Sequence, residues 1–269
     1  MFSLVAVSAE LAEQLVAVET GGYDAVHQAR TRVRRLRSIL SVYRRAFDPT
    51  EVTKLRRRLR ALGSSLGDVR DLEVRAAAVE DTLAADTDPA VIDAVTAMAD
   101  DAREAHERAL HGLIVTLRGR ATRKLLADLL VFAAEPPLRR PAHPHPRRVA
   151  RKGLAKATRR ARASGDSLAE RHETRKAARR LRYAADAVAD LFGRDAVRLS
   201  AAAEAVQDAL GDHRDLILLA AHLREESAAR GLDQATAAGV ERLAAECERR
   251  AEAALDGIDG KLHAVAHAV

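Results

Sequence analysis

Two stretches constrain this chain more than any other feature: HQARTRVRRLR at 27–37 and HETRKAARRLR at 172–182. Each places Arg three, seven and ten residues after a His: His27, Arg30, Arg34 and Arg37, then His172, Arg175, Arg179 and Arg182. At about 100° per residue on an α-helix those offsets share one face about 80° wide. Opposite it in the first copy run Val33, Leu36, Leu40 and Tyr43, an apolar stripe. A helix built this way buries the stripe and presents a column of cations. Residues 27–45 carry seven Arg and no acid. A solvated helix face mixes signs, so the exclusion of acids points to a bound anion.

The duplication extends beyond the columns. Leu66-Gly-Asp-Val-Arg-Asp71 matches Leu210-Gly-Asp-His-Arg-Asp215, at an offset of 144 residues against 145 for the His. Apolar periodicity and end signals predict helices over about 8–19, 23–46, 50–66, 69–85, 89–118 and 120–133, and again over about 147–163, 168–191, 195–210, 212–229 and 233–256. Ser8 is read as the N-cap of the first. Asp48-Pro49 with Glu51, and Ser167 with Glu170, read as capping boxes. In the LGDxRD motifs, Gly67 and Gly211 read as C′ residues, Asp68 and Asp212 as N-caps, and Asp71 and Asp215 as N3. Arg70 and Arg214 are expected to pair with acids. No strand-like alternation is convincing. Five prolines between 136 and 146 mark a loop joining the halves 1–135 and 147–269. The economical architecture is two related helical bundles about a pseudo-twofold.

Composition sharpens the electrostatics. The 269 residues carry a net charge of +6, and 39 of the 45 basic residues are Arg, whose planar fork suits phosphate. Residues 136–162 hold ten bases and no acid, so the rest of the chain sums to −4. The basic helix 147–163 sets Arg148, Arg151, Lys152, Arg159 and Arg162 on one side. The single Cys247 excludes an intramolecular disulfide. No signal peptide or long apolar run is visible, so a soluble cytoplasmic protein is expected.

With both Arg columns and both LGDxRD turns in view, the sequence resembles the CHAD family, the conserved-histidine α-helical domains, over nearly its whole length. His172 to Tyr183 follows the family pattern HxxRxxxxRLRY. The resemblance implies one all-α CHAD domain over 1–269: two pseudo-twofold-related four-helix bundles, plus accessory helices, around a basic central cavity. It also implies binding of inorganic polyphosphate and targeting to polyphosphate granules. Carried over by position, the ligand residues are His27, Arg30, Arg34, Arg37, His172, Arg175, Lys176, Arg179 and Arg182. Lys54, Arg57 and Arg58, with Arg148, Arg151, Lys152 and Arg159, are second contributors to the same cavity. Thr31 stands where the second copy has Lys176, and Ala202 where the first has Arg58, so the cavity should be asymmetric in charge. The two His either donate to phosphate oxygens or hold a neighbouring helix. Some relatives are fused to triphosphate-hydrolysing CYTH domains; no CYTH part is present in this sequence.

Enzyme signatures such as GxxxxGK[ST], HExxH and ExxH are absent, and no acidic cluster stands beside the columns to carry a metal. A non-enzymatic binder without cofactor, metal site or membrane contact is therefore expected. His143 and His145, in the Pro-rich loop, read as surface link rather than metal site. Two other functions compete. A nucleic-acid-binding helical protein shares the electrostatics, but three Tyr, four Phe and no Trp make a poor stacking platform. A regulatory partner of a polyphosphate- or triphosphate-processing enzyme would leave no mark in this sequence.

Overall fold

The computed structural model describes residues 3–85, 87–139, 146–162, 165 and 167–268. Eleven helices follow in order among them: α1 (Leu4–Glu19), α2 (Ala25–Val42), α3 (Pro49–Glu80), α4 (Pro89–Arg118), α5 (Arg120–Ala134), α6 (Pro146–Ala161), α7 (Leu168–Asp186), α8 (Ala189–Phe192), α9 (Arg194–Arg230), α10 (Gln234–Ala254) and α11 (Ile258–His267). The fold is all-α. An isolated antiparallel bridge joins Phe47 to Leu138. No helix among the described residues is long and apolar enough to cross a membrane.

The chain divides into two compact units. The first comprises residues 1–67, 112–207 and 258–269, the second 68–111 and 208–257. Each sequence half thus contributes to both units. In the first unit, α2 packs against α1, α6 and α7, while α5 lies on α1 and α11 on α6. The stripe Val33, Leu36, Leu40 and Tyr43 is fully buried there, as its spacing predicts. Tyr43 Oη donates to the Ala184 carbonyl of α7 at 2.7 Å, tying the two Arg-bearing helices together. In the second unit, Val79, Val91, Val95, Met98, Leu223, Val240 and Cys247 form one core with the surrounding alanines.

The structure corrects several local readings. α1 begins at Leu4, so Ser8 lies inside the helix and is buried. Gly67, Asp68, Gly211 and Asp212 do not break helices; α3 and α9 run straight through the LGDxRD motifs. The reason is phase. Leu55, Leu59, Leu62, Leu66, Val69, Ala76 and Val79 keep one buried stripe across the motif. An unbroken stripe outweighs the roughly 1 kcal/mol that a mid-helix Gly costs. Asp48 caps α3 through the Thr50 and Glu51 amides at 2.9 and 3.0 Å. Its own N–H donates to the Pro137 carbonyl at 2.7 Å, while Glu51 takes Lys54 instead of closing a box. The Ser167–Glu170 box is complete. α11 is an element without a counterpart in the predicted helices, and His143 and His145 lie outside the described residues.

Gly153 is where α6 meets α2. A Cβ there would lie 3.1 Å from both the Tyr43 ring and the Val42 carbonyl oxygen, and backbone cannot yield as a side-chain tip does. Gly153→Val is expected to cost about 1–3 kcal/mol through overpacking. A calorimetric melt checks this, with a drop of roughly 2–4 °C per kcal/mol expected for a domain of this size.

Candidate functional site

Within the first unit the two Arg columns come together. α2 and α7 pack side by side with the predicted apolar residues inward. His27, Arg30, Arg34 and Arg37 on α2, and His172, Arg175, Lys176, Arg179 and Arg182 on α7, are all half-buried. The electrostatics record how close the columns are. The Arg179 guanidinium is pushed down to about 9, first by burial and then by the charges of Arg34 and Arg175, with Arg30 adding to them and Tyr183 opposing. Four arginines from two helices thus form one like-charged quartet.

A second cluster adjoins Arg37. Burial lowers its guanidinium pKa, and Arg60, Arg56 and Arg180 lower it further. Arg56 is lowered in the same way, by burial and then by Arg60, Arg44 and Arg180. α3 supplies Arg56 and Arg60 from the side that also carries Gly63 and Gly67; the four positions fall within about 60° of each other on a helix. A Cβ on Gly67 would sit 3.5 Å from Arg30 Nη2, and one on Gly63 3.5 Å from Arg37 Nη1. The small face of α3 is what admits the guanidinium groups of α2.

The other predicted α3 residues point elsewhere. Lys54, Arg57 and Arg58 lie about 100–200° round the helix from Arg56. Arg58 is bound to Asp128 on α5 at 2.5 Å, Lys54 to Glu51 at 2.9 Å, and Arg57 is exposed. On α6, Arg148, Arg151, Lys152 and Arg159 are exposed, and Arg151 lies 5.9 Å over the Phe192 ring. On α7, Lys176 pairs with Glu173, and Arg182 pairs with Glu204 at 2.7 Å while lying 5.6 Å over the Tyr183 ring. Arg70 pairs with Glu73 at 2.9 Å, as expected.

Arg44, Arg56, Arg60 and Arg180 are the cluster members that the sequence reading leaves out. For Arg180 the signal was present, since it occupies the second Arg of HxxRxxxxRLRY. For Arg56 and Arg60 it was the register they share with Gly63 and Gly67.

What the arrangement does chemically follows from its sign. Half-buried guanidinium groups that depress one another keep their charge at neutral pH, because even about 9 lies above 7. Guanidinium groups so arranged can hold an anion with several charges spaced along its length, by charge-assisted, often bidentate, hydrogen bonds.

Comparison with known proteins bears on the family and the fold. A family-wide sequence profile described as CHAD domain matches residues 6–224. Two curated Mycobacterium tuberculosis proteins, the uncharacterized protein MT2285 of strain CDC 1551 / Oshkosh and the uncharacterized protein Rv2226 of strain H37Rv, are each 31% identical over 93% of this chain. The chain spans about half their length, 52%. Among solved structures, PptA from Streptomyces chartreusis aligns with a TM-score of 0.74 at 20% identity, covering 97% of this chain and 96% of its own. The CHAD domain from the plant Ricinus communis aligns with 0.75 at 23%, covering 97% and 89%.

Proposed function

This chain belongs to the CHAD domain family, and from that premise we propose that it binds inorganic polyphosphate through the arginines gathered between α2, α7 and α3. The observation that carries the reading is the packing of α2 against α7, which gathers Arg30, Arg34, Arg175 and Arg179; burial first, and then these neighbours, depress Arg179. The quartet's formation has an electrostatic cost, and the α2 column's own stretch 27–45 contains no acid. A linear polymer with about one charge per repeat and no bases answers that cost. Arg37, Arg56, Arg60 and Arg180 extend the contact along the chain, and His27, His172, Lys176 and Arg182 flank it. A central cavity around these groups and association with polyphosphate granules are parts of the same proposal.

Binding without turnover is the reading that fits these residues best. Guanidinium groups hold phosphate, but hydrolysis also needs a group that activates water or carries a metal. Nucleic acid is disfavoured because the cluster offers no aromatic stacking surface.

The test is a titration of the purified protein with long-chain polyphosphate, single-stranded RNA and duplex DNA at one physiological salt concentration. Phosphate release is followed with and without Mg²⁺. Saturable binding of polyphosphate, stronger than of either nucleic acid and without phosphate release, is the expected result. Tighter binding of RNA or DNA would overturn the assignment, and Mg²⁺-dependent release would make the protein an enzyme.

A further inference from the structure

We propose that the outer face of α6 is a second, separate contact for the same linear phosphate polymer, so that long chains engage two sites at once; this rests on the polyphosphate reading above. α6 buries Ala150, Leu154, Ala157, Thr158 and Ala161 against its neighbours. Arg148, Arg151, Lys152, Lys156, Arg159 and Arg160 are all exposed. Arg148, Lys152, Lys156 and Arg159 lie about 100–180° round the helix from Arg147, opposite the buried side. The inferred contact is therefore an open cationic strip about 17 Å long, distinct from the half-buried quartet.

Three observations favour a phosphate polymer here. The first is sign: residues 136–162 contain no acid. Among the described residues, none of those six exposed cations is paired with a carboxylate, whereas Lys176 and Arg182 on the neighbouring α7 are. Surface helices elsewhere in this chain interleave signs, as in the Arg224–Glu241–Glu248 network of the second unit. The second is chemistry. The strip has no aromatic, Asn or Gln with which to stack on or read a base, leaving only phosphate contacts. The third is what the helix cannot do. Lying on a membrane requires an apolar face free to enter lipid, and the apolar face of α6 is packed inside the protein.

Two weak contacts on one chain act through effective concentration, which raises avidity without any new bond. Tripolyphosphate has three phosphates, too few to occupy the four arginines of the quartet and the four cations of the strip together; long-chain polyphosphate has enough for both. The experiment compares the wild type with R148Q/K152Q/K156Q/R159Q, all exposed positions where Gln keeps the helix. The half-variants R148Q/K152Q and K156Q/R159Q and the quartet variant R30A/R175A run alongside. Each is titrated with tripolyphosphate, long-chain polyphosphate and duplex DNA.

The α6 variant is expected to bind tripolyphosphate like the wild type. It should lose at least about tenfold in long-chain affinity, within the gain linked sites give, with a shallower salt dependence and each half-variant in between. Unchanged long-chain affinity would overturn the proposal. Loss of duplex DNA binding with polyphosphate binding intact would overturn it too, in favour of a nucleic-acid surface. A wild type that binds neither phosphate ligand, or an R30A/R175A variant that binds both normally, would instead overturn the quartet reading itself.

Discussion

Arg179→Met is expected to melt at a higher temperature than the wild type and to bind polyphosphate less tightly. The two effects share a cause. Burial and the charges of Arg34 and Arg175 press the Arg179 guanidinium well below its ordinary value, down to about 9. Because the folded value is the lower one, the strain is present in full at neutral pH, where folded and unfolded chains are both charged. It fades only as pH rises through about 9. One pKa unit is about 1.4 kcal/mol, so the strain is on the order of a few kcal/mol. Methionine keeps the length and apolar bulk of the side chain and removes the charge. After the lost polar contacts are subtracted, a gain of about 1–2 kcal/mol remains, read as roughly 2–4 °C of melting temperature per kcal/mol. An arginine that merely held the fold together would behave in the opposite way, and a lower melting temperature would refute the strained-site reading. The rise should be largest in ligand-free protein and shrink as polyphosphate is added, since a ligand bound to the folded state stabilises the wild type by mass action.

The same packing explains what the sequence made legible and what it hid. The columns were readable because a helix converts spacing directly into a face, and the stripe of Val33, Leu36, Leu40 and Tyr43 fixed which way each face turned. Which other arginines join a column depends on tertiary approach. Arg56, Arg57 and Arg58 are consecutive and chemically identical, yet one faces the cluster, one is exposed and one binds Asp128. Only the packing of α3 against α2, permitted by Gly63 and Gly67, separates them.

The same glycine illustrates how a local rule loses to a longer one. Gly67 followed by Asp68 has the chemistry of a helix end, and that reading predicted two helices where one runs from Pro49 to Glu80. The apolar register from Leu59 through Leu66 and Val69 to Val79 was visible in the sequence and gave the better answer. In α9 the buried series Ala203, Val206, Leu210, His213, Ala220 and Leu223 passes through Gly211 likewise, with His213 in a core position. The division of the chain into units at Gly67/Asp68 and Gln207/Asp208 lies within or beside these motifs. The halves of the repeat are thus units of sequence, while the compact bodies draw on both.

The second large effect is on binding. Arg30→Ala/Arg175→Ala takes one member of the quartet from each helix. Hydrogen bonds to charged groups contribute about 1.5–3 kcal/mol each, so the pair is expected to cost about 10²-fold or more in polyphosphate affinity. Salt separates this from a trivial loss of structure. Each phosphate contact on a single-stranded polyanion contributes about −0.7 to the slope of log affinity against log salt. Removing two contacts should therefore flatten the slope by about 1.4, and a melt of the variant shows whether the fold is kept. Titrations at several NaCl concentrations, with a melt of each protein, decide the matter. An unchanged slope with weaker binding would mean that neither arginine touches phosphate and that the variant acts through conformation. A flattened slope with an undiminished melting temperature would leave direct phosphate contact as the account, because only a group that displaces counterions from the ligand changes how salt competes.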